Sequence, residues 1–326
     1  MTLLSRRRLL MASPALLAAA PAVLRAQTWP AKQIRMIAPY PPGGGVDTVA
    51  RAFSEKVSPR IGQTIVVDNQ PGAGGTIGGA ALARSPADGY TLMVGSMVDY
   101  SIAPYFHQDL SFDMARDFVP ILEIGNGTVG VLVTPSLPVH NVQELIALAK
   151  SKPGQLSYAL SGFGGLIHLN YEMLKQMTGA EMTNVPYKGT TQFQADLYEG
   201  RVQASIDNVL AHLPHIASGK VRCLAVTAKA RSPLLPDVPT MAEAGVPGFE
   251  SATNYTLFAP KAVSADIVRK LNETGNEVIA DGDFRERMLK LGIVTVGGPQ
   301  QAVQARMPNE MKRWADVIVK GNIKPS

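Results

Sequence analysis

Short runs rich in β-branched residues recur along the chain: "QIRMIAP", "TIVVDN", "YTLMVGS", "GVLVTP", "LSYALSG", "NVPYKG", "ASIDN", "VRCLAVT", "YTLFAP" and "GIVTVG". Between them, apolar residues return every three or four positions, as in Val46, Val49, Ala50, Phe53 and Val57, or Leu166, Leu169, Met173 and Met177. Strands alternating with one-faced helices predict an α/β fold built on parallel sheets covered on both sides. Two longer extended stretches interrupt the alternation, "FVPILEIGNGTVGVLVTP" and "FESATNYTLFAP". They read as the strands by which the chain leaves one domain and returns to it. A chain of 326 residues exceeds what one compact core usually supports, so two lobes are expected. The first comprises residues 27–123 plus 254–326, and the second residues 124–253. A cleft between them would lie at the carboxyl ends of the strands, where open sheets bind ligands.

Glycine is concentrated at two strand-to-helix turns that would face this cleft. "PYPPGGGVDTVAR" (39–51) passes from three glycines directly into a helix, with Asp47 placed as its N-cap. "YALSGFGGLIHL" (158–169) repeats the logic after Ser161, with glycines at 162, 164 and 165. Free amides and the helix dipole at such a start attract an anion. A third cluster, "PGAGGTIGG", has the spacing G-x-G-x-x-x-G from Gly72 and follows the second strand, so it does not match a dinucleotide fingerprint. His168 lies off the buried stripe of its helix, where it either reaches a ligand or is satisfied locally. Tyr187, Lys188 and Asp207 end further strands of the second lobe. No G-x-S-x-G elbow and no Cys/His pairing is present, and His212 and His215 lack a third neighbour of metal-ligating type. Neither a cofactor nor a metal is expected.

Composition changes the picture mainly at the N-terminus. Residues 1–26 carry a basic cluster, Arg6 to Arg8, then the short apolar run "MASPALLAAAPAVL", and read as a signal peptide by either the twin-arginine or the Sec route. Without its four arginines the formal charge of +5 falls to about +1. No basic run with interleaved aromatics follows, which argues against nucleic acid or an anionic membrane surface as partner. The single cysteine, Cys223, has apolar neighbours and cannot form an internal disulfide.

Taken in order, "PYPPGGGVDTVAR", "VVDNQPGAGGTIGG", "ADGYTLMVG", "NVPYKGT", "LAVTAKARSPLLPDVPTMAEAGVPG" and the helix containing Trp314 resemble the tripartite tricarboxylate transporter substrate-binding proteins, or Bug family, over nearly the whole mature chain. The resemblance implies a two-lobed periplasmic-binding-protein fold of type II, a Venus flytrap. It implies a periplasmic receptor that closes on a small organic acid and delivers it to a membrane permease or, in some members, to a sensor; a monomer is expected. An exported cleft enzyme is the alternative from another class. Carried over by position, the ligand contacts are Gly44, Gly45, Val46, Asp47 and Ser96 in lobe one, and Ser161, Gly162, Phe163, Gly165, His168 and Asp207 in lobe two. The chain departs from the family pattern where a hydroxyl residue is usual at Gly45 or Val46, Asn at Phe163, Ser at Gly165 and Trp at Asn254. These changes suggest a more apolar pocket, with the Phe163 ring either turned to the cleft or packed between helices.

Overall fold

The computed structural model describes residues 29–324 apart from 108, 162 and 188, so the expected signal segment lies outside the described residues. Lobe one starts with β1 (Ile34–Ala38), α1 (Gly45–Ile61), β2 (Ile65–Asn69), α2 (Thr76–Ala83), β3 (Thr91–Gly95), α3 (Met97–Phe106), α4 (Met114–Asp117) and β4 (Phe118–Gly127). Lobe two holds β5 (Val129–Val133), α5 (Val142–Ser151), β6 (Ser157–Ser161), α6 (Leu166–Thr178), β7 (Thr183–Tyr187), α7 (Thr190–Tyr198), β8 (Ala204–Asn208), α8 (Leu213–Ala217) and β9 (Arg222–Val226). The chain then returns through β10 (Thr253–Pro260), α9 (Ala265–Ala280), α10 (Gly282–Lys290), β11 (Ile293–Thr295) and α11 (Gln300–Lys320).

The strands form two sheets, ordered β11-β4-β10-β3-β1-β2 and β7-β6-β8-β5-β9. Both are mixed rather than parallel throughout. β1 pairs in parallel with β2 and β3, and β6 with β7 and β8, but β10 is antiparallel to β3 and β4, and β5 to β8 and β9. The reason lies in the crossings. β3 and β4 end at the interlobe face, which is where returning β10 begins; β5 likewise sets out from the face at which β8 and β9 end. A strand entering a lobe from that face runs against those that finish there. The long extended run is therefore two strands in different sheets, broken at Thr128, whose amide donates to the Gly292 carbonyl (3.1 Å) and whose carbonyl accepts from Val209 N (2.9 Å).

Two helices belong to both cores. Met97 and Tyr100 of α3 join the lobe-one cluster, while Val98 and Ile102 join that of lobe two. Along α11, Val303 and Met307 pack in lobe one, but Trp314, Val317 and Ile318 pack among lobe-two residues. The second half of α11 thus departs from the 254–326 assignment to lobe one. At 21 residues the helix is about 31 Å long, enough to reach across both lobes.

Candidate functional site

The first glycine turn carries the chain from β1 into α1. Gly43 holds a left-handed φ of +81°, a conformation glycine adopts freely, and Gly44, at φ −73°, is the N-cap. Asp47, expected in that role, is instead the third helical residue and is buried. Its carboxylate reaches back to accept from Gly43 N (2.9 Å), and also from Arg51 Nε (2.9 Å) and Asn69 Nδ2 (2.8 Å). Burial pushes this acid up, but the bonds from Arg51, Gly43 and Asn69 outweigh it and hold its pKa below the ordinary carboxylate value. Asp47 is thereby committed to shaping the loop. Gly44 brings no side-chain cap, and the first intrahelical bond runs from Thr48 N to Gly44 O (2.9 Å). The amides of Gly45, Val46 and Asp47 precede that ladder, which leaves them positioned for an acceptor.

A polar floor supports this loop. A β-carbon on Gly45 would lie 2.7 Å from the Tyr255 hydroxyl, so the backbone rests directly on that ring. Tyr40 donates its hydroxyl to Asp99, whose carboxyl burial holds above the usual range. Burial, reinforced by Asp99, raises Tyr255 to about 12. Ser96 is buried and serves as the N-cap of α3, its hydroxyl accepting from Asp99 N (3.1 Å). Asn254 accepts from Met97 N (2.7 Å). Sequence reasoning missed Tyr40, Asp99 and Tyr255. The S-x-x-D signature of "SMVD" (96–99) marks a helix start and was a signal available for Asp99.

The second glycine turn leaves β6 at Ser161; Gly162 lies outside the described residues. Gly165 is the N-cap of α6, again without a side-chain cap, and the ladder opens with Leu169 N to Gly165 O (3.0 Å). Leu166, Ile167 and His168 thus repeat the arrangement of the first loop. Gly164 has φ +76°, and a β-carbon there would stand 2.8 Å from the Phe106 ring, so no larger residue fits without displacing it. His168 is buried, accepts from Gly164 N at Nδ1 (3.1 Å), and has Nε2 3.9 Å from Glu172. Burial lowers its pKa, which favours the neutral ring that can accept this bond. Of the two readings, the geometry fits the locally satisfied one: His168 braces the loop. Phe163 is 51% exposed, its ring 4.5 Å from His168 and edge-on to Phe106 at 6.5 Å, so it is not a core ring between helices.

Helix α3 ties the two loops together. Its first turn carries Asp99 under loop one, and its last residue, Phe106, meets Gly164 and Phe163 of loop two. The seven steps along the helix from Asp99 to Phe106 rise about 10 Å. Asp207 is 5% exposed and accepts from Asn208 N (2.7 Å) and His212 Nε2 (3.2 Å), while His212 Nδ1 meets the Tyr198 hydroxyl (2.8 Å). Tyr187 turns away to donate to Asp196 (2.7 Å), and Lys188 lies outside the described residues. Burial pushes the Cys223 thiol up to about 12, which fits an inert core position. Among the described residues no cluster of three or more His, Cys, Asp or Glu side chains is arranged to hold a metal.

Two α/β lobes joined by crossing strands, each presenting an uncapped glycine-rich helix start, define the molecule as a solute-binding receptor. The chain belongs to the tripartite tricarboxylate transporter receptor family, whose model matches residues 49–323. Solved structures to which it is similar include the following. Rpa4515 of R. palustris, solved with adipate, is 37% identical (TM-score 0.75, covering 91% of this chain and all of that one). The periplasmic binding protein BugD is 33% identical (TM-score 0.71, 91% and 100%). MatC of Rhodopseudomonas palustris, with bound malate, is 30% identical (TM-score 0.71, 89% and 99%). The family is one of periplasmic binding receptors that work with a tripartite transporter, which places this chain outside the cytoplasm.

Proposed function

We propose that the chain is exported with loss of residues 1–26, captures a small organic carboxylate as a monomer, and hands it to the membrane permease of a tripartite tricarboxylate-type transporter. Capture is by binding and release without turnover. The observation that carries this reading is the pair of uncapped helix starts, α1 at Gly44 and α6 at Gly165, joined by α3. Unpaired amides at a helix start favour a carboxylate without a basic side chain. The adipate and malate bound by Rpa4515 and MatC support the same ligand class.

Calorimetry of the mature protein against adipate, malate and phenylacetate tests it, with Gly44→Leu as the variant. Gly44 has an ordinary φ, and a β-carbon there meets only the Pro41 carbonyl, at a close 3.3 Å, so the variant folds, with a melting temperature lowered by a few degrees for the tight contact and the poorer N-cap. Its side chain stands in the path to the amides, and affinity falls by at least about tenfold. Failure of every acid to bind, or unchanged affinity in the folded variant, would refute the proposal.

A further inference from the structure

Asn170 lies on α6, one turn beyond its uncapped start, and is 0% exposed. Neither its Oδ1 nor its Nδ2 has a hydrogen-bond partner among the described residues. Burying a carboxamide in this way forfeits its hydration with nothing in return, so native structures place water or a ligand against such groups. Space for either adjoins it. A cavity of about 240 Å³ is lined by Asn170, Asp207, Asn208 and Thr253, together with Leu166 and Ile167.

The lining selects the occupant. No lysine or arginine lines the cavity, and the Asp207 carboxylate retains accepting capacity beyond its bonds to Asn208 N and His212. A second carboxylate entering here would meet the Asp207 carboxylate with no lysine or arginine to offset it, whereas an O–H or N–H group finds acceptors in Asp207 and in Asn170 Oδ1, with Nδ2 left to donate in return. Leu166 and Ile167 also provide the first free amides of α6. An acid group held on those amides would carry its neighbouring substituent toward the cavity.

We propose that this cavity is a subsite for a hydroxyl or amino donor borne by the ligand, and that Asn170 is the residue that selects for it. The inference rests on the carboxylate-receptor reading and deepens it. Matched acids that differ only in the donor test it: succinate against malate, and phenylacetate against mandelate, measured by calorimetry on the mature protein and on Asn170→Leu, which keeps the branched shape and removes both polar atoms. In the wild-type protein the hydroxy acid of at least one pair binds about tenfold or more tightly than its parent, since a site built to bond a hydroxyl rejects the analogue lacking it. In Asn170→Leu that preference collapses to within about threefold, while the parent acid is unaffected. Asn170→Ala, which only enlarges the cavity, carries the same comparison if leucine does not fit.

Equal affinity within both pairs in the wild-type protein overturns the subsite while the receptor reading stands. So does a preference that survives in the variant. A rise in melting temperature with every affinity unchanged marks Asn170 as a plain buried amide and also overturns it. If no acid binds at all, the receptor reading falls and the subsite with it.

Discussion

Phe163 occupies a loop position where a small polar residue would turn the chain equally well, and it leaves half its surface to solvent against His168 and Phe106. Replacing it leaves no sealed cavity, so Phe163→Asn is expected to shift the melting temperature by only a few degrees. Calorimetry should find phenylacetate and long-chain acids bound about tenfold or more weakly, the scale set by an apolar ring contact. His168 behind it makes a pH prediction. Its pKa is lowered by burial, so the unfolded chain takes up the proton first as pH falls. The loop brace is fully present above about pH 6.5, the ordinary histidine value, and weakens as pH drops from there toward the folded pKa. Glu172, the acid facing the ring, is itself raised by burial. Denaturant titrations at several values between pH 8 and pH 5 should show a stability loss in the wild type that is smaller in His168→Gln, whose amide oxygen accepts from Gly164 N without titrating. At this scale the glycine turns were legible in the sequence, but the burial of His168, expected off the buried stripe that included Met177, was not, because the helix turns His168 inward and leaves Met177 exposed. That Asp47 is the third helical residue and not the cap was not legible, because Gly43, Arg51 and Asn69 converge on it only once the loop has folded.

Among the elements, α11 and α3 have the widest consequences, since each contributes to both cores. Trp314 is 1% exposed and is among the largest fully buried side chains. Trp314→Ala is expected to lower stability by about 3–5 kcal/mol through lost burial and the cavity left behind. Hydrogen exchange should quicken in α3 and α6 as well as in α11, because α11 packs on both. Faster exchange confined to α11 would show the lobes to be independent of it. The strands that the β-branched runs predict all form. Their directions were not legible, because parallel or antiparallel pairing depends on which end of a lobe the chain enters.

For the whole molecule, the chain crosses between lobes at Thr128 and at the start of β10, with α3 and α11 packed in both cores as further connections. A ligand held by amides from both helix starts favours the closed arrangement by its differential affinity for it. Small-angle scattering should therefore record a smaller radius of gyration at saturating adipate than without it, and Gly44→Leu should abolish the change. A wild-type radius indifferent to a ligand that calorimetry shows to be bound would exclude closure.

The sequence by itself determined the α/β class, the two lobes, the glycine-rich helix starts and the family, since each depends on local periodicity, local turn chemistry or ordered motifs. Only the tertiary structure decided what those parts do to one another. It set Tyr255 and the Tyr40–Asp99 pair beneath the first loop, Phe106 against the second, Trp314 in the opposite lobe, and Asn170 beside an open space with Asp207. These partners are far apart along the chain, and whether a buried polar group is paired or orphaned is fixed by packing across elements rather than by the residue's own neighbours.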